Sequence, residues 1–201
     1  MDRVAHVRLA KMCDRTQIRE INMDNDEDII IGENDVDNIL DGGNGKDRIE
    51  GLSGNDILNG DNGKDSLFGG DDNDTLNGGR GKDLLEGGED NDILNGGHGK
   101  DSLSGDEGAD VLNGGRGNDL LEGGEGNDKF EFGLKFGKDT ILDFEDGDLI
   151  DLSVHGLEFD DLKIIYANGD AVISNITPGG KIIVKDVADK SLDASDFDFL
   201  L

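Results

Sequence analysis

Aspartate recurs at every ninth residue through the middle of this chain, always a few residues after glycine. From Gly42 to Glu131 the sequence divides into ten nonapeptides without an insertion, with glycine first, aspartate sixth and an apolar residue eighth in every one. Carboxylate and carbonyl oxygens are the ligands of hard cations such as calcium, which takes about six to eight of them. Glycine allows tight turns that aim backbone carbonyls inward. The pattern therefore predicts calcium sites whose side-chain ligands are the sixth-position aspartates: Asp47, Asp56, Asp65, Asp74, Asp83, Asp92, Asp101, Asp110, Asp119 and Asp128.

The last three residues of each nonapeptide predict the elements that position these aspartates. They form a very short strand whose eighth-position side chain points inward. Two nonapeptides then make one flattened coil, and the strands of successive coils stack about 4.8 Å apart. We predict an all-β fold, a parallel β-roll solenoid with two nonapeptides per coil.

Stacking brings aspartates from units two apart, such as Asp47 and Asp65, close together. Two carboxylates about 4 Å apart repel by about 4 kcal/mol at a protein surface. Because small apolar side chains do not offset both this repulsion and the entropy of the chain, we expect the metal-free chain to be unfolded. Calcium binding and folding are then one event. Ten units that pair two apart predict about eight ions.

In four units an aspartate replaces a glycine of the turn. Asp72 and Asp90 replace glycine at the fourth position, and Asp61 and Asp106 replace it at the second. Since aspartate is less free than glycine to adopt a tight turn, we expect these turns to be looser.

The composition limits the classes of function. Asp and Glu number 48 against 19 Lys and Arg, a formal charge of −29, which would repel nucleic acids and anionic membranes. No stretch is apolar enough for a transmembrane helix or a cleaved signal peptide. Cys13 is alone, so it forms no intramolecular disulfide. Motifs typical of zinc proteases, serine hydrolases and phosphate-binding loops are missing from the sequence, which predicts that the chain is not an enzyme.

Segments with other patterns flank the array. Residues 24–41 look like degenerate repeats, in which Ile30 and Leu40 keep the apolar column and Asn38 replaces aspartate. Residues 1–23 form an N-terminal tail or cap with no clear period. Residues 132–201 are predicted to form a β-rich C-terminal cap, with strands in 139–144, 148–152, 162–166, 171–174 and 181–184 and a hairpin turn at 168–169.

The repeat Gly-Gly-x-Gly-x-Asp-x-apolar-x resembles that of the repeats-in-toxin (RTX, haemolysin-type) family of calcium-binding β-roll proteins. The resemblance covers Gly42 to Glu131 strictly. It implies that the sixth-position aspartates and the turn carbonyls bind calcium, and that the protein is secreted and extracellular. The C-terminal residues Asp198, Phe199, Leu200 and Leu201 resemble the signal of members exported by a type I ABC transporter; the alternative is an ordinary last strand.

The same resemblance carries an alternative function. Similar rolls accompany enzymes that act on acidic polysaccharides, so the chain could alternatively be a carbohydrate-binding accessory module. Lysine recurs at the fifth position every eighteen residues, in Lys46, Lys64, Lys82 and Lys100. Such a row would either bind an acidic polymer or neutralise the neighbouring aspartates.

Overall fold

The computed structural model describes residues 6–9, 20–21, 27–187 and 191–199. Within them the chain is all-β, with three short 3-10 turns at Ser153–His155, Phe159–Asp161 and Ala194–Asp196. The strands are β1 (His6–Leu9), β2 (Glu20–Ile21), β3 (Asp28–Ile31), β4 (Ile39–Asp41), β5 (Asn44–Gly45), β6 (Arg48–Ser53), β7 (Ile57–Asn59), β8 (Asn62–Gly63), β9 (Ser66–Asp71), β10 (Thr75–Gly81), β11 (Leu84–Gly88), β12 (Ile93–Gly99), β13 (Ser102–Glu107), β14 (Val111–Asn113), β15 (Arg116–Gly117), β16 (Leu120–Glu125), β17 (Lys129–Glu131), β18 (Lys138–Ile141), β19 (Leu149–Asp151), β20 (Lys163–Ala167), β21 (Asp170–Ser174), β22 (Lys181–Val184) and β23 (Phe197–Asp198).

The described strands form two sheets, between which the chain alternates as it coils. Sheet one has the order β1-β3-β6-β9-β11-β13-β16-β18-β22-β21-β20, and sheet two follows β2-β4-β7-β10-β12-β14-β17-β19-β23. Pairing is parallel through the repeats and advances by eighteen residues: Thr75 pairs with Ile57 on one side and with Ile93 on the other. The predicted parallel β-roll with two nonapeptides per coil is confirmed.

Two ladders of apolar side chains, one from each sheet, fill the space between the sheets. Every eighth-position residue from Ile49 to Phe130 is at most 2% exposed. Ile30 and Leu40 extend the column at the N-terminal end and are fully buried, as predicted for the degenerate repeats. Because each coil contributes only two such residues, one from each sheet, the core is narrow, and its stability depends on contact with the next coil.

The four aspartates in glycine positions behave in two ways. Asp61 and Asp106 have φ values of 65° and 76°, in the same left-handed region as neighbouring second-position glycines, so their turns are not looser. Asp72 and Asp90 have φ values of 75° and 72°, whereas Gly81 in the same position of another unit has 155°. Aspartate tolerates the left-handed helical region but not the more extended one that glycine reaches. The fourth-position turns therefore do differ in shape.

Beyond the tenth nonapeptide the sheets continue with a longer coil. Strands β18 and β19 pair with β16 and β17 in a register of twenty residues, for example Leu120 with Thr140. Strand β22 follows β18 in parallel, and β21 and β20 complete sheet one in antiparallel pairing. Asn168 and Gly169 join β20 to β21 with φ values of 56° and 90°, as a type I′ hairpin turn requires. A strand forms in each of the five predicted segments of the C-terminal region, and the hairpin is confirmed; the first two strands are shorter than predicted and end at Ile141 and Asp151.

The N-terminal region is described only at β1 and β2, which pair in parallel with β3 and β4. The remainder of residues 1–23, including Cys13, lies outside the described residues, as do Leu200 and Leu201. In the part of the chain that the structure describes, no helix has the length and apolar character needed to cross a membrane.

Candidate metal centre

The ten predicted aspartates lie in two columns, one at each edge where the chain passes between the sheets. Each is at most 2% exposed. Column one precedes the strands of sheet one, and column two precedes those of sheet two. Column one consists of Asp47, Asp65, Asp83, Asp101 and Asp119, and column two of Asp56, Asp74, Asp92, Asp110 and Asp128.

One carboxylate oxygen of each column aspartate is held by the backbone of the preceding coil. Oδ1 of Asp65 accepts a hydrogen bond from the backbone N–H of Asp47 at 2.8 Å, and Oδ1 of Asp92 accepts one from Asp74 at 2.7 Å. The same bond recurs along both columns with a separation of eighteen residues. The expected approach of aspartates from units two apart is confirmed.

The other carboxylate oxygen has no hydrogen-bond partner. Among the described residues, Oδ2 of all ten column aspartates is buried and makes no hydrogen bond. Such a group costs at least about 1–3 kcal/mol when neutral and much more when charged, unless a cation pairs with it. A row of buried carboxylate oxygens at regular spacing is the arrangement that a divalent ion would satisfy.

Glycine at the first position leaves space beside this oxygen. A Cβ added to Gly78 would lie 3.0 Å from Oδ2 of Asp83 and 2.8 Å from the carbonyl oxygen of Gly96. Oδ2 therefore faces a small cradle that it shares with a carbonyl from the next coil, and any side chain would fill it. Carboxylate and carbonyl oxygens are both ligands that calcium prefers, so the residues present fit this ion.

Glycine at the fourth position allows a second contact in the turns at the edge of column one. A Cβ on Gly81 would overlap the carbonyl oxygen of Gly63, and one on Gly99 would overlap that of Gly81. The backbones of these successive turns are thus too close for a side chain, and their carbonyl groups follow one another along the edge. Asp72 and Asp90, at the other edge, occupy the fourth position with a different φ.

Side chains alone do not form a complete ion site. Within the described residues, no cluster of three or more His, Cys, Asp or Glu side chains could hold a metal ion. A site in these columns must therefore take most of its oxygens from the backbone, as the glycine-rich turns allow.

Burial changes the acidity of the column aspartates. Burial raises the pKa of Asp92 to about 8 and the pKa values of Asp65, Asp74 and Asp101 to about 7. The hydrogen bond that each carboxylate accepts from the backbone lowers its pKa, but by less than burial raises it. Repulsion from neighbouring aspartates of the same column adds to the increase. Without a bound cation, these column aspartates in the folded roll therefore stay protonated to a higher pH than ordinary aspartates do.

The columns extend beyond the residues that the nine-residue period identified. At the N-terminal end, the backbone N–H of Asp28 donates to Oδ1 of Asp47 at 2.8 Å. At the C-terminal end, the backbone N–H of Asp119 donates to Oδ1 of Asp139 at 3.0 Å, and that of Asp128 donates to Oδ1 of Asp148 at 2.9 Å. Spacings of nineteen and twenty residues hid these three members from a search for a strict period. A signal was present in the triplet 137–139, which has the sequence Gly-Lys-Asp that ends the turns of several nonapeptides.

Asn38 closes the N-terminal end of column two with hydrogen bonds. Its Nδ2 donates to the carbonyl oxygen of Val36 at 2.7 Å and to Oδ1 of Asp56 at 2.8 Å, and its backbone N–H donates to the same Oδ1 at 2.6 Å. The predicted replacement of an aspartate by Asn38 is confirmed. An amide group here contacts carbonyl and carboxylate oxygens, the same types of atom that would surround an ion.

Exposed charges separate between the two edges of the roll. The first, third, fifth, seventh and ninth units share the edge of column one, and their turns carry a row of basic side chains that we call the basic edge. Register pairing aligns its third-position residues, Arg80 with His98 and His98 with Arg116. The basic edge consists of Lys46, Lys64, Lys82, Lys100, Arg80, His98 and Arg116, all exposed.

The opposite edge has the opposite charge. The third position of the even units is acidic and exposed in Asp71, Glu89, Glu107 and Glu125. The odd-numbered units all lie within the described residues. At their second, third and fifth positions, Asp61 is the only acidic residue. An open groove of about 390 Å³, lined in part by His98, Arg116 and Lys135, lies at the C-terminal end of the basic edge.

Comparison with known proteins supports the ion-binding interpretation of the repeats. The model of the RTX calcium-binding nonapeptide repeat (4 copies) matches residues 34–67, 41–76, 68–103, 77–112 and 104–134. Together these matches span residues 34–134, half of the chain. No curated protein sequence matches the chain significantly.

Several solved structures are similar to this chain. The AlgE6R3 subunit of the Azotobacter vinelandii mannuronan C5-epimerase is 28% identical, with a TM-score of 0.48 over 59% of this chain and 80% of that one. The AlgE6R2 subunit is 25% identical, with a TM-score of 0.46 over 59% and 88%. The extracellular lipase LipA from Serratia marcescens is 17% identical, with a TM-score of 0.43 over 88% of this chain and 40% of the lipase.

The raised pKa values of the column aspartates predict the effect of pH on the metal-free protein. A folded pKa above the usual 3.8 contributes stability that is fully present below about pH 4 and is lost as the pH rises through the folded values, which reach about 8 at Asp92. In chelator, the protein should therefore have more β-structure at about pH 5 than at about pH 8, as measured by far-ultraviolet circular dichroism. The calcium-saturated protein is the control and should show the reverse, because its ligands must be deprotonated. Equal β-structure at both values in chelator would contradict the prediction.

Proposed function

We propose, from the fact that this chain belongs to the family of RTX calcium-binding nonapeptide repeat proteins, that it folds as it binds calcium and acts outside the cell without catalysing a reaction. The observation that supports this most directly is the unsatisfied Oδ2 of all ten column aspartates among the described residues. A folded chain with these carboxylates ionised and uncompensated would pay a large desolvation cost.

The column aspartates would hold the ions together with the carbonyl oxygens of the turns. Bound calcium supplies the positive charge that turns repulsion between buried carboxylates into attraction. The chain contributes the rest: the Oδ1 hydrogen bonds orient each carboxylate, and glycines at the first and fourth positions keep the cradle open. Ten aspartates that pair two apart support about eight ions.

The four segments of the sequence fit this function as parts of one roll. We propose residues 42–131 as the calcium-binding array, 24–41 as degenerate repeats, 1–23 as a tail or cap, and 132–201 as the C-terminal cap. Both sheets run through the boundaries at 41 and 131: in sheet one β3 pairs with β6 and β16 with β18, and in sheet two β4 pairs with β7 and β17 with β19. The boundaries therefore mark changes in sequence pattern and not separate folding units.

Titration of calcium into the chelated protein tests the coupling of folding to binding. Far-ultraviolet circular dichroism should show a cooperative transition from coil to β-structure with calcium but not with magnesium, which prefers a smaller octahedral site. Asp92→Asn should raise the midpoint about tenfold, the equivalent of about 1.4 kcal/mol. The exposed neighbour Glu89 offers the matched control Glu89→Gln, which should leave the midpoint unchanged. A native circular dichroism spectrum in chelator at neutral pH would refute the coupling.

Export through a type I transporter is the route that we propose for leaving the cell. Asp198 lies in β23, where its carbonyl oxygen accepts from Leu152 at 2.9 Å, and the ring of Phe199 stacks on Phe197 at 5.7 Å. A transporter would therefore meet these residues in a free form only before the chain folds. Low calcium inside cells would keep the chain in that form until it reaches the outside.

Deletion of residues 198–201 tests this route. In cells that carry a type I transporter, the shortened protein should remain inside, whereas the complete chain should appear in the medium. Calcium-dependent circular dichroism of the purified shortened protein is the control for folding. Full export of the shortened protein would exclude this signal.

Binding of an acidic polysaccharide is a second candidate function, and the basic edge favours it. The lysines of the basic edge follow one another from coil to coil, about 4.8 Å apart, in a chain that is otherwise acidic. A linear polymer with one carboxylate per sugar could follow such a row. The competing explanation, neutralisation of nearby aspartates, is supported at Asp119, where Lys100 lowers the pKa against the dominant effect of burial.

Charge removal on the basic edge distinguishes these explanations. The double variant Lys64→Gln/Lys82→Gln should weaken binding to a polyuronate about tenfold, with binding that decreases as salt increases. Lys163→Gln/Lys181→Gln, which removes two exposed charges in the cap, is the matched control and should bind like the unmodified protein. If the first variant instead lowers only calcium affinity, the lysines serve the aspartates and not a polymer.

A further inference from the structure

The coil that follows the tenth nonapeptide is longer by two residues but rebuilds the turn of column one. Residues 137–139 repeat the Gly-Lys-Asp order of 99–101. A Cβ on Gly137 would overlap the carbonyl oxygen of Gly117, just as one on Gly99 would overlap that of Gly81. The insertion is therefore accommodated before Gly137, and the part of the turn nearest the column keeps the geometry of a regular unit.

Asp139 occupies the next position of column one. It is 1% exposed, and its Oδ1 accepts a hydrogen bond from the backbone N–H of Asp119 at 3.0 Å. The following strand stays in register, with Leu121 paired to Ile141. Asp139 therefore stands to Asp119 as Asp119 stands to Asp101.

Asp119 has an unsatisfied carboxylate oxygen next to Asp139. It is 0% exposed, and its Oδ2 makes no hydrogen bond to any described residue; Oδ2 of Asp128 in column two is in the same situation. The two columns differ at the next carboxylate. That of Asp148 accepts hydrogen bonds from the backbone N–H groups of both Asp128 and Glu145, whereas that of Asp139 accepts one among the described residues, from Asp119. Column one therefore keeps more carboxylate oxygen available for an ion at this boundary.

We propose a calcium site between Asp119 and Asp139 that lies outside the nonapeptide array and joins the roll to the C-terminal cap. The inference rests on the proposed calcium-dependent folding, and adds a site across the two-residue insertion. Its ligands would be the two carboxylates and turn carbonyls, the donor types found in the regular coils.

The position of this site gives it a structural consequence. Asp139 lies within β18, and β18 pairs with β22, where Asp139 is opposite Ile182. Strands β21 and β20 are added to β22, so the antiparallel end of sheet one is built on the strand that the ion would fix. Calcium should therefore order the cap as well as the repeats.

Asp139→Asn tests the site, because it keeps an Oδ1 acceptor for Asp119 while removing the charge. Native mass spectrometry of the calcium-saturated protein should show one ion fewer than in the unmodified chain. Hydrogen exchange at Lys181–Val184 should become faster, while exchange at Leu67–Gly70 in the middle of the roll stays unchanged. Asp160→Asn, an exposed change of equal charge in the cap, is the matched control and should alter neither measurement.

A second variant separates this inference from the proposed function. Asp83→Asn, in the middle of column one, should also lower the ion count but leave exchange at Lys181–Val184 unchanged. If neither Asp83→Asn nor Asp139→Asn changes the count because the chain binds no calcium, the proposed function fails with the site. If Asp83→Asn lowers the count and Asp139→Asn does not, only the site between Asp119 and Asp139 is overturned.

The unmodified protein provides a test that does not depend on the folding of a variant. Protection of Lys181–Val184 from exchange should rise with calcium concentration together with that of Leu120–Glu125. Protection that is already complete in chelator would show that the cap is ordered without the ion, and would overturn the inference.

Discussion

The roll depends on how the buried carboxylates of its two columns are satisfied. Each column aspartate uses Oδ1 to accept a backbone N–H from the preceding coil, and this bond fixes the carboxylate in place. Oδ2 is then held in the interior with no hydrogen bond from the described residues. Since the carboxylates follow one another at the spacing of the strands, burial and mutual repulsion act together on all of them. In the proposed function, calcium compensates this charge, which would allow so acidic a chain to fold at neutral pH.

The glycines of the repeat serve this arrangement through two separate contacts. At the first position, glycine leaves room for Oδ2, and at the fourth it allows the carbonyl of the neighbouring turn to approach. A Cβ at Gly78 or at Gly81 would come within 3.0 Å of a carbonyl oxygen of an adjacent coil, whereas Asp72 and Asp90 avoid such an overlap with a different φ. The apolar eighth position completes the unit by filling the narrow core. Each conserved type in the nonapeptide thus corresponds to one contact with an adjacent coil, as expected for a structure whose repeats touch only their neighbours.

The alternation of units between two edges has consequences beyond the ions. Odd-numbered turns share one edge and even-numbered turns the other, so a sequence difference between alternate units becomes a difference between two surfaces. The lysines at the fifth position and the third-position residues Arg80, His98 and Arg116 gather on the basic edge, while Glu89 and Glu107 lie on the opposite one. The columns also begin differently: Asn38 supplies an amide at the N-terminal end of column two, whereas an aspartate, Asp28, occupies the equivalent place in column one.

Sequence alone determined the parallel roll, the inward column and the ten buried aspartates, because a strict period of nine needs only local contacts between identical units. It also identified Ile30, Leu40 and Asn38 as parts of the roll. Only the tertiary structure placed Asp28, Asp139 and Asp148 in the columns, since insertions of one or two residues destroy the period but not the hydrogen-bond register. The tertiary structure also showed that the two kinds of turn with an aspartate in place of glycine differ in backbone conformation. Asp61 could keep the φ of a second-position glycine, but Asp72 could not reach the φ of Gly81, because a Cβ excludes that more extended conformation.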